Sequence, residues 1–131
     1  MTLVVDASTV VAALVDQGTV GWWAEELCAG ERLAAPHLMP AEVLSALRRT
    51  VAAGQVSTDV AAMALADLSA LDVELFAFDP FARRVWALRH NVTSYDAWYV
   101  ALAESIDAPL ATLDQRLAMA DGPACAFRTP G

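Results

Sequence analysis

Apolar residues come in short bursts along this chain, and the spacing inside each burst indicates which element it builds. Leu3-Val4-Val5 is too short a run for a helix, so a first strand is expected over 2–5. Ser8 or Thr9 can then cap a helix through Val10-Val11-Ala12-Ala13-Leu14-Val15, closed by Asp16-Gln17-Gly18. Trp22 to Cys28 forms a second helix that ends before Gly30. The two tryptophans of that helix are adjacent, so both cannot face inward. Leu33 to Ala35 is a brief buried strand. Pro40 suits the first turn of a third helix, which aligns Val43, Leu44, Leu47 and Val51 on one face and stops at Gly54. Thr58 opens a fourth helix through Val60, Met63, Leu65, Leu68 and Leu71.

Beyond that helix the period changes. Asp72-Val73-Glu74-Leu75-Phe76-Ala77-Phe78 alternates with period two and is the clearest strand signal in the chain. Arg83, Val85, Trp86 and Leu88 belong to a fifth helix, and a sixth runs from about 95 to 106. Pro109 to Leu113 is another strand, Asp114 to Ala120 a short helix, and Ala124 to Arg128 a final strand. Strands separated by helices predict an α/β fold: a parallel sheet of about five strands, covered on both faces. The whole of 1–131 is expected to be one domain, because no repeat, linker or low-complexity tract interrupts it. Right-handed crossovers place the carboxyl ends of all strands along one edge, where such sheets bind their ligands.

Four acidic residues fall at that edge. Asp6 follows the first strand, Glu42 enters the third helix, Asp96 starts the sixth, and Asp114 follows Pro109-Leu110-Ala111-Thr112-Leu113. A carboxylate withdrawn from water costs several kcal/mol unless a cation or hydrogen bonds compensate it. Each acid also has an ordinary use. Asp96 can complete a capping box with Thr93, Glu42 can favour a positive helix end, Asp114 can be an N-cap, and Asp6 can start a turn. These uses leave unexplained why all four gather at one rim, and burial at a strand end offers Asp6 few donors. A shared metal accounts for all four, since Mg²⁺ and Mn²⁺ prefer hard oxygen ligands.

Composition narrows the field. Of the residues, 57% are apolar and 18% charged, which excludes disorder and leaves apolar surface for a partner. No apolar run reaches the roughly 18 residues of a membrane span, and a basic leader is missing, so a cytoplasmic protein is expected. Cys28 and Cys125 form no CxxC pattern and are expected as reduced thiols. Sixteen acids against eight bases give a net charge of −8, which argues against broad nucleic-acid binding. All eight bases are arginine, a side chain whose planar fork suits phosphate. Arg48, Arg49, Arg83, Arg84 and Arg89 are candidates for substrate phosphates, with solvated helix faces as the plainer reading. Trp98 and Tyr99 are candidates for base stacking, with core packing favoured. His37 and His90 read as surface or structural residues. The absence of lysine counts against a phosphoacceptor receiver domain, Asp6-Ala7-Ser8 against an Asp-x-Asp phosphatase, and glycine-rich phosphate loops are missing.

Val4-Val5-Asp6-Ala7-Ser8, Pro40-Ala41-Glu42-Val43, Tyr95-Asp96-Ala97-Trp98-Tyr99-Val100-Ala101-Leu102-Ala103 and Ala111-Thr112-Leu113-Asp114-Gln115-Arg116-Leu117 together resemble the four signatures of PIN-domain proteins. Among these the chain is similar to the VapC toxins of bacterial toxin–antitoxin pairs, in motif order, spacing and length. The resemblance implies a three-layer α/β/α fold and a Mg²⁺-dependent endoribonuclease, with Mn²⁺ as a substitute. It implies Asp6, Glu42, Asp96 and Asp114 as the acidic set and Ser8 and Thr112 as accessory polar positions. Asp6, Asp96 and Asp114 would bind the metal directly, while Glu42 would bind a second ion or orient the attacking water. It further implies structured RNA such as tRNA or rRNA as substrate, a VapB-type antitoxin beside the second helix, and a homodimer. Two alternatives stay open on sequence: a non-catalytic binding module with this fold, and a nuclease acting on DNA.

Overall fold

Alternation and apolar runs become five short strands in a computed structural model that describes residues 1–131. In chain order the elements are β1 (Thr2–Val5), α1 (Ala7–Val15), α2 (Thr19–Gly30), β2 (Arg32–Pro36), α3 (Met39–Ala52) and α4 (Thr58–Ala70). They continue with β3 (Val73–Phe76), a 3₁₀ turn (Asp79–Phe81), α5 (Ala82–Ala87), α6 (Ser94–Ser105), β4 (Leu110–Ala111), α7 (Gln115–Ala118) and β5 (Phe127–Arg128). All pairings are parallel, in the order β3-β2-β1-β4-β5. Thus the chain builds outward from β1 through β2 to β3, then returns to the other side of β1 as β4. Growth reverses between β1 and β4, and the loops leaving these two strands part to opposite faces of the sheet, opening a crevice.

The helices divide accordingly. α1 packs against α2, α3 and α4, while α6 packs against α5 and strands β1, β2 and β4. The sheet between them is almost dry: Leu3, Val4, Val5, Ala34, Ala35, Leu110 and Ala111 are at most 2% exposed. They join α6, whose Ala97, Tyr99, Val100, Ala101, Leu102 and Ala103 are all buried, in one apolar cluster of 25 residues. Small residues on α6 let its axis approach the sheet. No helix is long and apolar enough to cross a membrane.

Several local expectations change. Neither Ser8 nor Thr9 caps α1; Asp6 does, its carboxylate accepting from Thr9 N. α4 does open at Thr58, with Ser57 before it as the N-cap. On α3, Val43 and Leu47 face inward with Met39, but Leu44 turns to solvent. On α4 only Ala64 is fully buried, and Val60, Met63 and Leu65 point outward. The alternating segment 72–78 yields the four-residue edge strand β3, since its partner β2 runs out at Pro36. The terminal strands and α7 are likewise shorter than their sequence signals. As expected, Trp23 packs on the core and Trp22 lies 71% exposed, and His37 and His90 are exposed. Cys28 and Cys125 are free, and burial pushes both thiols up, Cys125 to about 11 with help from Glu104.

Candidate active site

Asp6 sits at the mouth of the crevice, one residue past β1, and is only 7% exposed. Its Oδ1 accepts from Ser8 Oγ at 2.6 Å and from Thr9 N at 3.0 Å. Its Oδ2 accepts from Thr112 Oγ1, which arrives from the end of the neighbouring strand β4. The expectation that a strand end offers few donors is therefore incorrect: the first turn of α1 and the β4 loop supply three. A carboxylate has about four lone-pair positions, so roughly one remains for an external ligand. Burial still raises the Asp6 carboxyl above its ordinary value, with the bonds from Ser8, Thr112 and Thr9 opposing it.

The donors are themselves fixed. Ser8 Oγ accepts from Leu113 N at 3.1 Å, and Thr112 Oγ1 accepts from Asp114 N at 3.0 Å. Thr9, fully buried, donates its hydroxyl to Ala111 O at 3.0 Å. This bond between α1 and β4 had no signal in the sequence beyond a threonine in the first turn after Asp6. Ser8 and Thr112 thus hold Asp6 and the β4–α7 loop as one hydrogen-bonded unit.

Asp114 caps α7, its Oδ1 accepting from Arg116 N at 3.0 Å and Leu117 N at 3.3 Å. Asp96 lies in the first turn of α6, whose N-cap Thr93 accepts from Asp96 N at 3.2 Å. Glu42 lies in the first turn of α3, and its Oε1 accepts from Tyr99 Oη at 2.6 Å. That bond spans 57 positions of sequence and ties α3 to α6 across the crevice. Tyr99 is 1% exposed, and burial, reinforced by Glu42, holds its phenol far above the ordinary range. Base stacking by Tyr99 is therefore excluded. Trp98 is half-buried with its ring edge-on to Phe78 at 5.2 Å, which makes it a packing residue as well.

All four acids thus occupy helix N-terminal turns, those of α1, α3, α6 and α7. Each helix end carries a partial positive charge that favours an anion. This does not neutralise the set. The Asp96 carboxyl is raised first by burial, then by the negative charges of Asp114, Asp6 and Glu42, with Thr93 countering in part. Ion pairs form elsewhere, at Arg84–Glu104, Arg128–Glu31 and the amino terminus with Glu31, and none reaches these four. No three of the acids are drawn close enough to cage an ion unaided. An all-oxygen, net-negative, partly open set nevertheless suits a hard cation that retains water in its shell.

Two clefts flank the acids. One, of about 560 Å³, is lined by Asn91, Thr93, Asp96, Asp114, Arg116 and Met119 among others. The other, of about 250 Å³, is lined by Leu38, Ala41, Glu42, Ser45, Arg49 and Tyr95. Of the candidate arginines, only Arg49 opens beside the acids. Arg84 is locked in a two-point pair with Glu104, at 2.7 and 3.0 Å, and also binds Gly122 O. Arg89 stacks on the exposed Trp86 ring at 4.4 Å. Arg48 and Arg83 are exposed and line neither cleft. Arg116, which the sequence reading passed over, does.

Sheet order and crevice define an α/β protein with four acids at helix starts along the carboxyl edge of a parallel sheet. The family model described as PIN domain matches residues 3–123, and the chain belongs to that family. It is similar to a Mycobacterium tuberculosis protein named Ribonuclease VapC1, 44% identical over 126 residues and 95% of each chain. Among solved structures it resembles PAE2754 from Pyrobaculum aerophilum, with a TM-score of 0.71, 25% identity, and coverage of 97% of this chain and 83% of that one. It also resembles a member of the VapBC family of toxin–antitoxin systems, VapBC-5 from Mycobacterium tuberculosis, with a TM-score of 0.58, 29% identity, and coverage of 98% and 96%.

Proposed function

We propose that this chain, acting as one domain over 1–131, is a metal-dependent endoribonuclease of the VapC kind, the toxin of a type II toxin–antitoxin pair. The observation that carries this is geometric: four acids stand at helix starts along the carboxyl edge of the sheet, and no basic side chain pairs with any of them. Relatives named VapC ribonucleases support RNA as the substrate class. The ribonucleases of this family are in general metal-dependent; Mg²⁺, with Mn²⁺ as substitute, is the ion assigned here.

Asp6, Asp96 and Asp114 are the residues that would hold it. When bound, the ion supplies an activated water and stabilises charge on the leaving oxygen. The protein's own part is to place groups. Ser8, Thr9 and Thr112 fix the Asp6 carboxylate so that one lone pair faces the crevice. Asp114 uses one oxygen as cap and keeps the other free. Tyr99 pins Glu42 through Oε1, leaving Oε2 to orient the attacking water and take its proton. In-line attack would leave 5′-phosphate and 3′-hydroxyl ends.

The partner reading rests on the opposite face. Trp22 and Met63, 71% and 67% exposed, border a cleft of about 390 Å³ with Leu14, Val15 and Val60. Solved VapBC complexes support an antitoxin partner, and an apolar helix in this cleft is the proposed mode. A homodimer formed in the cytoplasm completes the proposal.

The test is cleavage of mixed structured RNAs with Mg²⁺, with single-stranded DNA in parallel. Asp6→Asn and Asp96→Asn are expected to abolish RNA cleavage with the circular dichroism spectrum unchanged, and EDTA to silence the parent. Full activity in either folded variant would sink the assignment. RNA retention without cleavage by the parent would favour a binding module, and selective DNA cutting a DNA nuclease.

A further inference from the structure

The helix α3 presents two stripes. Met39, Val43 and Leu47 enter the core, while Leu38, Ala41, Glu42, Ser45 and Arg49 form a second stripe along one wall of the 250 Å³ cleft. The other wall is Tyr95, the residue before Asp96 in α6. Tyr95 is 63% exposed, whereas the other tyrosine, Tyr99, is sealed in the core. Neither Tyr95 nor Arg49 makes a side-chain hydrogen bond or ion pair within the chain, so nothing internal accounts for their placement. The cleft falls below the roughly 300–1,000 Å³ of small-molecule sites, which suits one inserted base better than a buried metabolite. It also adjoins an acidic cluster that would repel a polyanion, so a guanidinium beside Glu42 counts for more here than on a neutral surface.

We propose that this cleft is a nucleotide subsite: Tyr95 stacks on one unpaired base next to the scissile bond, and Arg49 neutralises the adjoining phosphate. Resting on the ribonuclease reading, it specifies the substrate as a single-stranded or loop segment, because a base inside an A-form helix cannot be splayed onto a side chain. Aromatic stacking accepts every base, so the subsite selects unpaired RNA rather than a sequence. Arg116 on the far side of the acids gives the strand a second cation as it leaves.

The probe is a fluorescein-labelled 12-nucleotide RNA of randomised sequence, and a hairpin carrying the same label, bound to the full chain bearing Asp96→Asn. Anisotropy then reads affinity without cleavage. Adding Tyr95→Ala is expected to weaken the single strand about tenfold, and Tyr95→Trp to preserve affinity. Arg49→Ala should weaken it too and flatten the dependence of log affinity on log salt by about 0.7, the loss of one phosphate contact. A fully paired hairpin stem should bind weakly in every variant. Equal affinity for Tyr95→Ala and Tyr95→Trp, or an unchanged salt slope for Arg49→Ala, would overturn the subsite. So would the absence of single-strand binding by the Asp96→Asn parent. Those results leave the ribonuclease reading standing if the unmodified chain still cuts RNA; loss of cutting with the stacking effect intact would refute that reading alone.

Discussion

Thr112 donates to Asp6 and accepts from the backbone of Asp114, so one hydroxyl ties the end of β4 to two of the four acids. Thr112→Val keeps the shape and removes both bonds. Because Asp6 is buried, its loss of a donor is expected to cost about 1–3 kcal/mol of stability in urea titrations, with a larger fall in cleavage rate than in RNA affinity. Asp96 poses the opposite situation, a charge the fold does not favour. Its carboxyl is raised above 3.8, so the folded chain holds that proton more tightly than the unfolded one. Stability from this group is therefore greatest in acid and declines as the pH climbs from about 3.8 through the raised value. In metal-free protein at neutral pH, Asp96→Asn is expected to melt higher than the parent, with the gap closing as the pH falls toward 4. Thermal melts across pH would show this, and a gap that widens on acidification would refute it. Residue identity made the acids visible in sequence, and the family resemblance pointed to Ser8 and Thr112, but the bond from Thr112 to Asp6 spans 106 positions and was set only by folding.

At the scale of elements, helix starts matter most. α1, α3, α6 and α7 each begin at the crevice with an acid in the cap or first turn. Helix-start placement and the proposed chemistry therefore fall on the same carboxylates, which is why each acid read singly had an ordinary explanation. The turn between α1 and α2 is also closely built. A Cβ on Gly21 would lie 1.9 Å from Asp16 O, so α2 can start this near α1 only with glycine there. Gly21→Ala is expected to destabilise the chain by about 1–3 kcal/mol, measured by chemical denaturation, without removing any site residue. The interior of α6 was legible as an apolar segment, and its bounds follow from Thr93 and Ser105. The α4 segment was legible as a helix, but periodicity did not say which of its apolar residues meet the core: Ala64 does, while Val60, Met63 and Leu65 face outward.

Across the whole molecule, acidic chemistry and apolar surface fall on different sides. The crevice lies at the carboxyl edge between β1 and β4, while Trp22, Val60 and Met63 crown the layer formed by α1, α2 and α4. On the proposed placement of the antitoxin in the apolar cleft, its binding and catalysis are separable by substitution. Met63→Glu is expected to abolish neutralisation by the cognate antitoxin while leaving cleavage of RNA within about twofold of the parent, measured in the same assay with and without antitoxin. Activity lost along with neutralisation would show that the two faces are not independent.

From sequence alone came the strand–helix alternation, the parallel α/β class and the four acids. These follow from local periodicity and from the cost of burying a charge, which operate over a few neighbouring residues. Folding decided what joins distant segments. It placed three donors on Asp6, set Tyr99 on Glu42 across 57 positions, drew Arg84 away to Glu104, and left Tyr95 rather than Tyr99 facing the crevice. A helical pattern states that one face is apolar; only packing against the sheet determines which neighbour meets it and which side chain stays in water.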